Sequence, residues 1–264
     1  MIDLHCHLLH GLDDGPTSLE ESISLAQSAV DDGATTIYAT PHYRAGRYDT
    51  EAADIRERTG LLNAELRKRQ IPLRVLPGQE IRVYDGLLDD LEEGKLLPLG
   101  ESTYLLLEFS ASNVPARFDD TLHELRIAGW TPIIAHPERN AELAADPDKL
   151  KSLVDNGALC QVTSHSLTGR FGSKVKSAAI EMCRRNLIHF IASDSHNGTT
   201  RPFELRSAYE VAETKLGQDT IAYYERNARA VIHNLEVQPK PTLYRKRQLR
   251  LFAGWSPFKT QDGG

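Results

Sequence analysis

The feature that most restricts the fold of this chain is a sevenfold recurrence of a short apolar run, a few polar residues, and a stretch of helical periodicity. The runs occupy 1–7, 35–39, 73–76, 104–107, 131–135, 158–163 and 187–192. Each has strand length. Helical patterns are predicted from a capping box at Ser18 to a glycine stop at Gly33, then over 51–69, 87–93, 118–128, 149–156 and 174–185, with two more, 203–216 and 221–233, after the last run. Strands joined by helices pair in parallel, and runs that are apolar throughout belong to a sheet covered by those helices. The expectation is an α/β architecture whose parallel strands close into a barrel.

In such barrels the reactive groups gather at the C-terminal ends of the strands. The first run, Ile2-Asp3-Leu4-His5-Cys6-His7, ends with two imidazoles on one face, because alternate residues of a strand point the same way. Asp14 follows in the loop. His42 follows the second run, Glu80 the third, Glu108 the fourth, His136 the fifth, and Asp194 with His196 the seventh. One such residue is most simply a solvated loop residue or a cap. Five histidines and four carboxylates on one rim are not explained that way, and they exceed what a single ion takes. They suit two or three ions with shared carboxylates. His10 and His165 lie off this pattern and read as supporting or loop residues, while His123, His189 and His233 fall inside predicted elements and Cys6 faces the core.

The motifs His5-x-His7, Thr40-Pro-His42, Glu80, Ala135-His136-Pro-Glu-Arg139 and Ser193-Asp194-x-His196 resemble the polymerase and histidinol phosphatase (PHP) superfamily. Asp13-Asp14-Gly-Pro16, Leu76-Pro-Gly-Gln-Glu80, Leu107-Glu-Phe109 and Ile191-Ala-Ser-Asp-x-His-Asn197 resemble, more closely, its bacterial protein-tyrosine phosphatases of capsular and exopolysaccharide operons. The resemblance runs from Met1 to about Asn234. It implies a distorted (β/α)7 barrel of PHP type and three divalent metal ions, manganese above all, with Fe, Zn or Co as alternatives. It also implies His5, His7, Glu80 and Asp194 on one ion, Glu80, Glu108 and His136 on a second, and Asp14, His42 and His196 on a third. Arg139 and Arg201 match the family's phosphate-binding arginines, a task that suits the planar guanidinium fork.

Charge and cysteine content narrow the alternatives. The net charge of −6 divides into +5 from Lys240 onward and −11 before it, and an acidic body argues against nucleic acid as a partner. The chain starts with a histidine-bearing strand instead of a signal peptide, and no run is long enough to span a membrane. Cys6, Cys160 and Cys183 are scattered, as suits a reducing, cytoplasmic setting. Six positions beyond them stand Leu12, Ser166 and His189 in place of an arginine, so the cysteine-nucleophile phosphatase loop is absent and phosphatase chemistry has to be metal-based. The domain reading is a metallophosphatase barrel over 1–234 and a basic, flexible tail over 235–264.

The functional expectation is hydrolysis of phosphotyrosine by a metal-activated hydroxide. The substrate the resemblance implies is a phosphorylated tyrosine autokinase that regulates capsule or exopolysaccharide synthesis. The alternative is a small-molecule phosphomonoesterase, such as one acting on histidinol phosphate, with the same metals and different pocket walls. Tyr43, Tyr48, Tyr84 and Phe109 are candidates to stack on a phenyl ring. A metal-holding scaffold without activity would have lost ligands, and none is lost. The tail, with Tyr244-Arg-Lys-Arg-Gln-Leu-Arg-Leu-Phe252 and Trp255, reads as a solvated end or as a peripheral contact with an anionic membrane or the kinase.

Overall fold

Among the described residues nine short strands arise where β-branched and other apolar residues bunch between turn signals, and every pairing among them is parallel. The computed structural model describes residues 1–243. One sheet has the order β1 (Ile2–Cys6), β2 (Thr36–Ala39), β4 (Arg74–Pro77), and a second runs β3 (His42–Tyr43), β5 (Glu80–Arg82), β6 (Tyr104–Glu108), β7 (Thr131–Ala135), β8 (Leu159–Thr163), β9 (Phe190–Ala192). Only Thr40 and Pro41 separate β2 from β3, and only Gly78 and Gln79 separate β4 from β5. The two sheets meet through backbone bonds from Gly78 N–H to Ala39 O (2.9 Å) and from Glu80 N–H to Pro41 O (3.1 Å). Two lanes are therefore interrupted strands, and the nine strands fill seven lanes.

The remaining seam closes beyond β9. Asp194 N–H donates to His5 O (2.8 Å), and His7 N–H donates to Ser195 O (2.9 Å). Asp3 reinforces it from inside, its carboxylate accepting from the Ser193 amide (2.9 Å) and hydroxyl (2.5 Å). The result is the distorted seven-stranded barrel expected from the sequence.

Helices α1 (Leu19–Asp32), α2 (Ala52–Lys68), α3 (Leu87–Glu92), α4 (Phe118–Ile127), α6 (Pro147–Asp155), α8 (Ser173–Arg184), α9 (Leu205–Leu216) and α10 (Gln218–Ile232) fall where the periodicity places them. Ser18 caps α1 and Gly33 closes it in the left-handed region (φ 100°), as the capping signals predict. Two single-turn helices, α5 (Ala141–Ala145) and α7 (Ser164–Thr168), and the two-residue β3 are too short to leave a periodic signal. Along β6 to β9 alternate residues divide between two buried clusters. Leu105, Leu107, Ile134, Cys160 and Val162 pack with the helices, whereas Tyr104, Leu106, Ile133, Leu159 and Phe190 pack with one another.

Residues 235–243, assigned to the tail by sequence, lie against the barrel. Val237 is buried, its N–H meets the Tyr104 hydroxyl (3.2 Å), and Leu243 N–H donates to Arg185 O (2.9 Å). The packed chain therefore extends nine residues past the boundary read from the motifs. The basic segment from Tyr244 onward, and with it the expectation of a membrane or kinase contact, lies outside the described residues. Among the described residues no helix is long and apolar enough to cross a membrane.

Candidate metal centre

The strand ends deliver their polar residues into one space. The rise of β1 sets His5 and His7 side by side, with their Nε2 atoms 3.2 Å apart. His5 Nε2 lies 3.4 Å from Glu80 and 3.3 Å from Asp194, and His7 Nε2 lies 3.3 and 3.4 Å from the same two carboxylates. Glu80 reaches further, to His136 Nε2 (2.8 Å) and His42 Nδ1 (2.8 Å), and Glu108 stands 3.8 Å from His42. Asp14 lies 3.5 Å from His42 Nε2 and 3.3 Å from His196 Nε2. All nine residues singled out in the sequence thus meet at the rim. Every one except Asp14 is buried.

Among the described residues three groups are close enough to share a cation: His5, His7 and Glu80; His42, Glu80 and Glu108; and His7, Asp14, His42 and His196, each with donor atoms within 4.8 Å of one another. Glu80 occurs in two of them, as a bridging carboxylate would. His7 and His42 also occur in two groups, which is less partitioned than the sets implied by resemblance.

The donor chemistry fits a cation. His5 Nδ1 faces the Gln161 Oε1 acceptor (2.9 Å), whose orientation is fixed because its Nε2 donates to Val162 O (2.8 Å). His7 Nδ1 faces the Asp13 carboxylate (2.6 Å). With both Nδ1 protons so engaged, the two Nε2 atoms turn lone pairs toward each other, and only a positive charge between them reconciles that. His42 Nδ1 stands 2.8 Å from Glu80 Oε2, so a third imidazole crowds the same carboxylate oxygen. Burial opposes protonation of His5 and His7, but Glu80 and Asp194 around His5, and Asp13 against His7, raise both above the ordinary imidazole range. Burial likewise opposes the charge of Glu80 and Asp194, yet His5 and His42 hold the first, and His5, Arg201 and Arg139 the second, well below the usual carboxylate range. His196 is pushed down to about 4 by burial, so it stays neutral and available as a donor.

Backbone strain marks the same place. His136 (φ 35°) and Asp194 (φ 52°) adopt left-handed conformations unusual for non-glycine residues, directly after β7 and just beyond β9. For His136 this turn starts the 3₁₀ segment Pro137–Arg139, which swings Arg139 back over the rim. Arg139 Nη1 and Arg201 Nη2 both reach Asp194 Oδ2 at 2.5 Å, so the two forks open onto one spot beside the cluster. The Phe171 ring lies under the Arg139 guanidinium at 5.1 Å.

Sequence reasoning passed over Asp13, Gln161, Arg44 and Arg82 as working residues. Asp13 and Gln161 orient histidines, as described. Arg44 and Arg82 both grip Glu108, with Arg44 Nη2 at 3.0 Å and Arg82 Nε at 3.0 Å, and they line a cleft of about 270 Å³ with Phe109, His136 and Arg139. A glutamine inside the apolar run 158–163 was the available signal for a buried orienting group. His165 Nε2 donates to Pro202 O (2.9 Å), beside Arg201, in a supporting place and outside the cluster. Of the candidate stacking residues, Tyr43 and Phe109 are buried and Tyr84 bonds Asp90, whereas Tyr48 stacks on His42 at the rim, with an interplanar angle of 12°.

The comparisons with known proteins agree with this geometry. The chain is 42% identical over 249 residues to the tyrosine-protein phosphatase YwqE of Bacillus subtilis, covering 93% of this chain and 98% of that one. It is 31% identical over 240 residues to the tyrosine-protein phosphatase CpsB of Streptococcus agalactiae serotype III, covering 89% and 99%. Among solved structures, one described as YwqE from Bacillus subtilis and CpsB from Streptococcus pneumoniae, unique metal-dependent tyrosine phosphatases, superimposes with a TM-score of 0.91 at 42% identity, covering 94% of this chain and 100% of that one. The lactonase Lmo2620 from Listeria monocytogenes, at 13% identity and a TM-score of 0.53 over 87% and 94% of the chains, shares the fold alone. Residues 1–233 match the family described as capsular polysaccharide synthesis, CpsB/CapC, and the chain belongs to that family.

Proposed function

We propose that this protein is a metal-dependent protein-tyrosine phosphatase whose centre holds three divalent ions between His5, His7, Asp14, His42, Glu80, Glu108, His136, Asp194 and His196. The observation that carries the reading is the convergence of these side chains with two arginines aimed at a single Asp194 oxygen. Imidazole and carboxylate donors without a thiolate accept Mn, Fe, Zn or Co, and we infer manganese from the family resemblance. The substrate we assign is phosphotyrosine on a tyrosine autokinase of capsule or exopolysaccharide synthesis, consistent with the names of the relatives. Three free, buried cysteines support a cytoplasmic setting.

When bound, the ions acidify water and balance the charge of the phosphoryl oxygens. The chain's own residues do the rest. Arg139 and Arg201 bind the phosphoryl oxygens as paired forks and orient the group for in-line displacement. Phe171 and Asp194 hold the Arg139 fork in place. Asp13 and Gln161 keep the Nε2 lone pairs of His7 and His5 turned inward. The tyrosine phenol has a pKa of about 10, so its phenolate departs with less proton assistance than an alkoxide.

The test is turnover of a phosphotyrosine peptide, a phosphoserine peptide and histidinol phosphate by manganese-loaded and chelator-treated protein. Metal-dependent preference for phosphotyrosine is expected. Preference for histidinol phosphate would replace this reading with that of a small-molecule phosphomonoesterase.

A further inference from the structure

We propose that a groove beside the metal centre docks the polypeptide flanking the phosphotyrosine and favours acidic flanks. This deepens the phosphatase reading and rests on it. The groove, about 950 Å³, runs between the Pro137–Arg139 turn with α5 on one side and α8 on the other. Arg139 and Asn140 line both this groove and the cleft that carries Arg44, Arg82 and His136, so a chain leaving the cleft passes directly into it. Small residues, Ala141, Ala144, Ser177 and Ala178, line it and let an extended backbone approach closely.

Its charge is one-sided. Lys174, Arg184 and Lys215 line the groove and are exposed, and none of them forms an ion pair among the described residues. Of the acidic lining residues, Glu138 is buried, its Oε1 accepting from the Thr163 amide (3.1 Å), and Glu181 is engaged in an interaction of its own, so the exposed charge along the groove is basic. Lys174 and Arg184 stand ten residues apart on α8, about 15 Å along a helix, the reach of four or five residues of extended peptide. The occupant these features fit is an extended peptide segment carrying Asp or Glu. The sequence after Leu243 carries Arg245, Lys246, Arg247 and Arg250, whose charge does not complement a basic groove.

The experiment compares two phosphotyrosine peptides of equal length, one with Asp and Glu flanks and one with Asn and Gln, against p-nitrophenyl phosphate, which has no flank. With two- to fivefold per exposed ion pair, the metal-loaded wild type should favour the acidic peptide about tenfold in kcat/KM, less at high salt. Lys174→Glu with Arg184→Glu and Lys215→Glu should erase the preference while p-nitrophenyl phosphate turnover stays unchanged. If the triple variant fails to fold, Lys174→Gln and Lys215→Gln singly should each lower the preference two- to threefold. Equal kcat/KM for the two peptides in the wild type, or a preference that survives charge reversal, overturns the docking proposal and leaves the phosphatase reading intact. Failure to hydrolyse all three compounds overturns the phosphatase reading, and the docking proposal with it.

Discussion

Asp13 never touches the centre of the cluster, yet in the proposed metal centre its place behind His7 would give it control over metal affinity. Its Oδ2 takes the His7 Nδ1 proton at 2.6 Å and the His42 amide at 2.9 Å, and its Oδ1 takes the Gly15 amide at 2.9 Å. The side chain is 1% exposed, so water does not replace what is lost. Asp13→Asn can keep its oxygen toward His7 and His42, but it loses the charge and sets an amide donor against the Gly15 N–H. Asp13→Ala removes all three acceptors, frees the His7 ring to turn or change tautomer, and strands a buried His42 amide at a cost of about 1–3 kcal/mol. Groups that orient a metal ligand are worth about 10–100-fold in affinity. We therefore expect manganese binding to weaken about tenfold in the asparagine variant and about a hundredfold in alanine, about 1.4 and 2.7 kcal/mol. Calorimetric titration of chelator-treated protein measures this, and turnover should recover in both variants at saturating metal. Alanine at 13 binding manganese as tightly as wild type would refute the argument that His7 depends on Asp13 for its orientation.

Other predictions follow from equally local geometry. A Cβ on Gly15 would lie 2.7 Å from the His7 carbonyl and 3.0 Å from Asp13, so Gly15→Ala should weaken metal binding and lower the melting temperature, checked by titration and thermal unfolding. Arg139→Lys should lower kcat/KM on phosphotyrosine by more than tenfold, since a point charge replaces a fork worth about 1.5–3 kcal/mol per charged bond; unaltered kinetics would remove Arg139 from the site. His189 is pushed down to about 4 by burial, while an unfolded chain takes up that proton near pH 6.5. Its neutral ring, accepting from the Cys160 amide (3.0 Å), contributes stability that is complete above about pH 6.5 and is lost progressively as pH falls toward 4, up to about 3 kcal/mol. Urea unfolding of chelator-treated wild type and His189→Gln between those pH values should show a steeper acid loss in the wild type.

What the sequence by itself determined is what depends on near neighbours along the chain. Alternating apolar runs and helical periods specify parallel strands under helices, because each element's period states which face is buried. The barrel rule then puts a residue that follows a strand on the functional rim, and for that reason His5, Glu80 and His136 could be named without coordinates. Tertiary structure decided what depends on residues far apart. Asp3 pins β1 to Ser193, 190 positions away, and thereby closes the seam that brings Asp194 to His5. Gln161 became an orienting partner of His5 only because the barrel brings β8 across from β1. The left-handed turns at His136 and Asp194 could not be foreseen either: Asp and His enter that region more often than most residues, yet still seldom, and the surrounding packing decides where they do. The placement of Val237 against Tyr104 is of the same kind: isolated apolar residues past α10 carry no periodic signal, and Val237 is buried while Leu235 is exposed because of where the barrel floor lies.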